Sequence, residues 1–336
     1  MVANGNKQSL LITGASGLIG RALVSELLSW NNFRIKAHVR NRLKAREQIG
    51  AMVDLTQVDM EEGDFTRSGE REMGDLTRGC RTIIHAAGLV HQPDASYQEY
   101  EVVNVRATQQ LAEAAARNGA QSFVFLSSAA VYGPGPFNQV VETAPVNAKT
   151  PYAVSKLTSE RFLESFKGIP KIVLLRPSLV FGEGDRGNLL SMIKEIKNNR
   201  YRLVGDGSSG KSLIYSRDLA QAVALCLEKL PDGFYLFNVA NPEPVSIKTL
   251  SEEIAKCLDP NAKIASVPSP LARFGLKAAE ILMPGKLPTT EQLDKLTTTT
   301  TCSVSKLVAA TGFRPRNSLQ MALKAEIDWA TAAKLL

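Results

Sequence analysis

Tyr152 and Lys156 stand four residues apart in the stretch Tyr152-Ala153-Val154-Ser155-Lys156, and on a helix that spacing puts both on one face. A free phenol has a pKa of about 10 and is a poor base near neutrality. An ammonium one turn away favours the phenolate and lowers that value. Tyr152 is then able to exchange a proton with a substrate hydroxyl or carbonyl. Upstream, an apolar run ends in Ser127-Ser128. Two hydroxyls at the carboxyl end of a strand can hydrogen-bond a reacting oxygen, or they can simply serve a turn.

A second group of residues supplies a partner for that chemistry. Thr13-Gly14-Ala15-Ser16-Gly17-Leu18-Ile19-Gly20 follows the apolar run Leu10–Ile12 and opens an amphipathic stretch. Gly14 permits the tight turn off a strand, Gly17 lets the backbone approach a pyrophosphate, and Gly20 lets the helix pack against the sheet. The backbone around Ser16, Leu18 and Ile19 then offers unpaired N–H groups and the positive helix end to phosphate. The pattern predicts a dinucleotide site. A nicotinamide there would add its positive charge to that of Lys156 and would carry hydride. The second strand ends His38-Val39-Arg40-Asn41-Arg42, with no acid for a ribose 2′-hydroxyl. Arg40, helped by Lys44, is placed to accept a 2′-phosphate, so NADP is favoured over NAD.

These groups require strands and helices in alternation. Apolar runs predict strands at Ser9–Thr13, Arg34–Val39, Asp54–Val58, Thr82–His85, Ser122–Leu126 and Lys171–Arg176. Between them helices are expected at Leu18–Ser29, Asn104–Arg117 and Tyr152–Phe166. Such a chain is α/β, a doubly wound parallel sheet of the Rossmann kind with a smaller mixed C-terminal substrate lobe. The expected division is a dinucleotide-binding domain over 1–177, its sheet completed by parts of 206–240, and a substrate lobe over 178–336. In that lobe helices are expected at Leu189–Asn198, Ser216–Leu230, Ser246–Cys257, Ser303–Ala310 and Leu319–Ala332, and strands at Tyr201–Val204 and Phe234–Val239. Prolines become frequent, Pro284 and Pro288 among them, and Thr297–Thr301 reads as an extended linker or edge strand.

Composition narrows the function classes. The chain has 336 residues, enough for a sizeable core, and 44% hydrophobic with 22% charged residues is ordinary for a globular protein. The net charge of +7 has no basic arm or aromatic-rich nucleic-acid signature behind it. It is read as solvated surface with a few residues facing anionic ligands. Four separated cysteines and three histidines give no metal-site spacing and fit a reducing compartment. No signal peptide and no run of about 18 apolar residues is present, so a soluble cytoplasmic protein is expected.

Together these segments resemble the extended short-chain dehydrogenase/reductases, in the NAD-dependent epimerase/dehydratase family, from Leu10 to about Pro315. The resemblance implies that Asp59-Met60 holds adenine and that Ala86, Ala87 and Gly88, after His85, line the cofactor. It places Asn104 as organiser of a proton-relay water and Ser128 as the hydroxyl partner of Tyr152 and Lys156. Pro177, after Arg176, would touch nicotinamide. In the second lobe it implies that Asn188 contacts a diphosphate and that Lys211 stands where many relatives carry a phosphate-binding arginine. A lysine there keeps the charge and loses bidentate geometry. Asp218 matches a family position but reads as a helix-start acid, and Gly312-Phe313-Arg314-Pro315 reads as structural. The implied function is a 4-epimerase or 4-keto reductase of a nucleotide-diphosphate sugar, with substrate held by Ser127, Ser128, Asn188 and Lys211. The alternative is an NADP-dependent reductase or dehydrogenase of a hydrophobic alcohol or ketone, steroid- or flavonoid-like. A non-catalytic NAD(P)-binding relative would be expected to lack Tyr152 or Lys156. The resemblance also implies a homodimer through the helices around Asn104–Arg117 and Tyr152–Phe166.

Overall fold

The computed structural model describes residues 8–30, 32–90, 95–272, 294 and 297–336; Pro284 and Pro288 lie outside them. In chain order the described strands begin with β1 (Gln8–Thr13), β2 (Phe33–Val39), β3 (Val58–Glu62), β4 (Thr82–His85) and β5 (Ser122–Leu126). They continue with β6 (Phe137–Val140), β7 (Lys171–Pro177), β8 (Leu179–Phe181), β9 (Leu203–Val204) and β10 (Gly210–Lys211). The last are β11 (Leu213–Tyr215), β12 (Gly233–Val239), β13 (Val245–Ser246), β14 (Ser266–Val267) and β15 (Thr300–Cys302).

Seven of them form one sheet in the order β12-β7-β5-β4-β1-β2-β3, and every pairing in it is parallel. Parallel strands are covered on both faces, which is why they read as unbroken apolar runs. Alternate residues feed opposite layers. Leu10, Ile12, Val124 and Val173 pack on one side with Leu23, Leu27 and Val223. Leu11, Phe123, Phe125 and Leu174 pack on the other with Leu111 and Leu163. The strand order reverses between β1 and β4, and ligands of such sheets sit outside the carboxyl ends at that point.

One expectation about the sheet changes. The third strand begins at Val58 and not at Asp54, because the Asp54 carboxylate accepts from Thr56 N–H and caps a short turn over Leu55–Gln57. The strand at Phe234–Val239 is an edge strand of the main sheet, paired residue by residue with β7, in keeping with a sheet completed by parts of 206–240.

The second lobe holds its own core, with Phe181, Leu189, Ile193, Leu250, Ile254 and Leu323 among its members. A four-stranded sheet, β13-β10-β15-β6, borders it. The threonine run therefore ends as an interior strand, neither linker nor edge. Its hydroxyls explain the placement: Thr301 Oγ1 donates to Asn138 Oδ1 at 2.8 Å and accepts from Gln139 N–H at 2.7 Å. The chain then returns to the main sheet, since Leu307 and Phe313 pack in the core beneath α1 (Leu18–Ser29). Among the described residues no helix is long and apolar enough to cross a membrane.

Candidate active site

The glycine loop lies at the carboxyl end of β1. Gly14 has φ +68°, and a Cβ there would meet the Ala87 backbone at 2.8 Å, so loop and Ala86-Ala87 segment are pressed together. Thr13 Oγ1 reinforces that contact by accepting from Ala87 N–H at 3.2 Å. Gly17 is exposed and precedes α1, whose first turn has neither a side-chain cap nor an acid. Its N–H groups thus face outward for an anion. Gly20 does something other than expected: a Cβ there would lie 2.1 Å from Gly14 O, so it admits the loop's own backbone against the helix and not the sheet.

At the end of β2 the cationic residues expected for NADP have acids beside them. Arg40 and Lys44 are exposed, and Arg42 opens α2 (Arg42–Gly50). Arg42 N–H donates to Glu62 Oε2 at 2.8 Å, so a carboxylate already occupies that helix start. Asp64 stands in the field of Arg40, and its carboxyl is held below its usual range first by the Thr66 N–H and also by that guanidinium. Asp59 lies three residues before the strand end, exposed and paired with Arg34 at 2.9 Å. Met60 packs on the core. The acids at the carboxyl end of the strand are Glu62 and Asp64.

The catalytic candidates converge at the ends of β4 and β5. Thr150 caps the helix Pro151–Ser165, accepting from Ala153 N–H, and Pro151 starts it. Tyr152 is 9% exposed, hydrogen-bonded to Ser128 and packed edge-on to Tyr100 with ring centres 6.3 Å apart. Burial pushes its phenol up, with the Ser128 hydrogen bond opposing, which reverses the lowering expected from Lys156. The Lys156 ammonium is instead tied to Leu126 O at 2.8 Å and lies 4.7 Å from the Phe125 ring centre. Burial pulls it down to about 8, against the raising charge of Glu160. A Cβ on Gly88 would sit 3.3 Å from Lys156 Nζ, so the expected cofactor segment reaches the lysine.

Asn104 is buried in a wide helical turn over Glu101–Arg106. Its Oδ1 accepts from Leu89 N–H at 2.7 Å, and its Nδ2 donates to Leu89 O at 3.1 Å and Ser155 Oγ at 2.9 Å. It joins the Gly88-Leu89 loop to the Tyr152 helix. The wide turn frees its carbonyl, which accepts from Ser159 Oγ at 2.9 Å and Thr108 Oγ1 at 2.5 Å.

Several other expected ligands are committed to the framework. Ser127 is buried and donates to Glu160 Oε1 at 2.5 Å, not toward a substrate. Pro177 is buried at the end of β7, beside Val239. Lys211 Nζ donates to Thr298 O at 2.5 Å and Thr300 Oγ1 at 3.4 Å, fastening β15, and burial pulls it down to about 8. Asp218 accepts from Arg316 N–H at 3.0 Å and Asn317 Nδ2 at 2.8 Å, anchoring the segment after Pro315. Asn188 alone of the lobe candidates is exposed, in the first turn of the helix Asn188–Lys197. The segment before it is linked to the glycine-loop helix, because Arg21 donates to Glu183 O at 3.0 Å and Gly17 O at 3.4 Å. Glu160 and Arg176 were not singled out as site residues, since nothing in their spacing announces partners on three different elements.

Residues 10–240 match the NAD dependent epimerase/dehydratase family. The chain is 26% identical over 279 residues to an N-acetyl-alpha-D-glucosaminyl-diphospho-ditrans,octacis-undecaprenol 4-epimerase of Escherichia coli O157:H7, covering 82% of this chain and 80% of that one. It is 30% identical over 280 residues to a UDP-glucose 4-epimerase of Erwinia amylovora, covering 74% and 82%. The crystal structure of UDP-glucuronic acid 4-epimerase from Bacillus cereus in complex with NAD superposes with a TM-score of 0.77 at 21% identity, over 97% of this chain and 99% of that one.

Proposed function

The chain belongs to the NAD dependent epimerase/dehydratase family, and from that premise we propose that it is a 4-epimerase of a nucleotide-diphosphate sugar that retains NAD. The observation that carries this reading is that Tyr152 is hydrogen-bonded to Ser128 while Lys156, one turn on in the same helix, reaches Gly88 of the segment pressed against the glycine loop. The family's named relatives that epimerise C4 of a diphosphate-linked sugar support the substrate class.

The residues present fit a dinucleotide. A cradle at Gly14 and Gly17 and the uncapped start of α1 would hold its pyrophosphate, with Ser16, Leu18 and Ile19 around it. Ala86, Ala87 and Gly88 would flank the nicotinamide, which supplies a hydride acceptor and donor when bound. Glu62 and Asp64 favour NAD over NADP. A 2′-phosphate beside Arg40 would meet two carboxylates, one of them already on the start of α2.

Tyr152 exchanges the proton of the sugar 4-hydroxyl, and Ser128 orients the same oxygen through its bond to Tyr152. Lys156 supplies a positive charge close by, and Asn104 fixes the cofactor loop to the catalytic helix. Asn188 is the exposed lobe residue available to a diphosphate. A homodimer through the Tyr97–Arg117 and Pro151–Ser165 helices belongs to the same proposal, and light scattering reads it.

A 4-keto reductase using NADP is the second reading, favoured by the exposed Arg40. Mass spectrometry of nucleotide released from freshly purified protein separates the two. Bound NAD is the expected result. A protein that carries none and takes up NADPH in preference to NADH would replace the epimerase by the reductase.

A further inference from the structure

A buried ion pair lies beneath the catalytic helix. Glu160 is one turn beyond Lys156 and 4% exposed. Three donors on two other strands hold its carboxylate. Ser127 Oγ, just past β5, donates to Oε1 at 2.5 Å, while Arg176 in β7 donates from Nε at 3.0 Å and from Nη2 to Oε2 at 2.6 Å. The guanidinium is fixed in turn. Its Nη1 donates to the Tyr132 hydroxyl at 2.9 Å, and that hydroxyl donates to Asn238 Oδ1 at 2.8 Å.

Such a pair is a poor choice for stability alone, because well-packed apolar residues of the same volume often serve as well or better. Its position suggests another use. Among the described residues Lys156 has no ion-pair partner, and its ammonium is fully enclosed, donating to Leu126 O. Residues four apart on a helix are neighbours, so Glu160 is the acid one turn from Lys156 on the same helix.

We propose that Glu160 is a positioning residue: oriented by Arg176 and Ser127, its carboxylate keeps the Lys156 ammonium charged beside Tyr152. The proposal rests on the reading of Tyr152 and Lys156 as the working pair. The groups around Lys156 leave Glu160 as the source of that negative field. Tyr152 shares its helix and is protonated in the free protein, since burial pushes the phenol up. His85, from β4, is pulled down to about 3 by burial and is neutral. Asn104, from the wide turn, carries no charge, and Arg176, from β7, is positive and opposes Lys156 when Glu160 is removed.

The test is a pH titration of Lys156 by 15N NMR on protein labelled at lysine Nζ, with the resonance assigned by its loss in Lys156→Met. Glu160→Gln is expected to move the midpoint down by about one pH unit. Arg176→Gln is expected to move it up, because the carboxylate is then shared with one cation fewer. A clamp that only holds the helix in place would move both variants in the same direction, or neither, and either result overturns the proposal. Should Glu160→Gln fail to fold, the double variant Glu160→Gln/Arg176→Gln removes the orphaned guanidinium. Its midpoint is expected below that of the wild type, and one at or above it overturns the proposal. The titration needs no substrate, so it stays readable if the assigned reaction fails, and a missing shift leaves an epimerisation assay untouched.

Discussion

Two buried acids are handled in opposite ways. Glu160, beneath the catalytic helix, has its carboxylate held by Ser127 and a bidentate Arg176. Glu326, beneath the Gly182–Gly187 segment, accepts from Gly182 N–H at 2.9 Å through Oε2, and its buried Oε1 has no partner among the described residues. Burial, and then the charges of Asp185 and Glu183, push Glu326 up to about 8. The first acid is paired with a buried guanidinium. The second is kept neutral, and the segment it holds precedes Asn188. The difference teaches that the end holding Tyr152 sets its buried acid against a guanidinium, while the segment before Asn188 rests on an acid that burial pushes up to about 8.

The largest effect expected is on chemistry. Tyr152→Phe should lower turnover by about 10²–10⁴-fold while cofactor binding and melting temperature stay near wild type, since it removes only the proton-transfer group. Wild-type turnover in steady-state kinetics would remove Tyr152 from the mechanism. Next, Arg176→Met leaves a buried carboxylate unpaired and should cost about 3–5 kcal/mol in urea unfolding. A loss below about 1 kcal/mol would erase the contrast between the two acids.

Glu326→Gln sharpens the comparison from the other side. A carboxyl whose folded pKa is raised contributes stability that is fully present below its unfolded pKa and is lost as pH rises through the folded one. Wild-type stability should therefore decline between about pH 5 and about 8. Glu326→Gln should flatten that decline in melting curves taken across the window, and an unchanged slope would show that Glu326 does not titrate there. The smallest effect is reserved for Arg40→Ala, which should change NAD affinity by less than about twofold in a calorimetric titration, as expected of an exposed side chain already facing carboxylates. A larger loss would return Arg40 to the ribose site.

Much of the cofactor half was legible in the sequence because its signals are local. Gly14, Gly17 and the strand before them sit within ten residues, and Tyr152, Ser155 and Lys156 share a single helix face. The start of β3 was misread because one Asx-type turn at Asp54 shifts the strand by four residues, which leaves Asp59 inside the strand and not past its end. The lobe was less legible. Lys211 and Asp218 are charged residues at suggestive positions, yet their partners, Thr298 and Arg316, lie about 90 residues away or more and are found only by folding. Glu160 escaped notice for the same reason. Its partners come from β7 and the end of β5, and no periodicity on its own helix distinguishes it from a solvent-facing acid.

The central claim is most directly tested by incubating the purified protein with UDP-sugars, without added cofactor, and following C4 configuration by proton NMR. The account predicts that a UDP-sugar and its 4-epimer interconvert to one equilibrium from either side, with no net change in nicotinamide absorbance. Absence of any inversion across the common UDP-hexoses, together with stoichiometric consumption of NADPH in the presence of a carbonyl substrate, would contradict it.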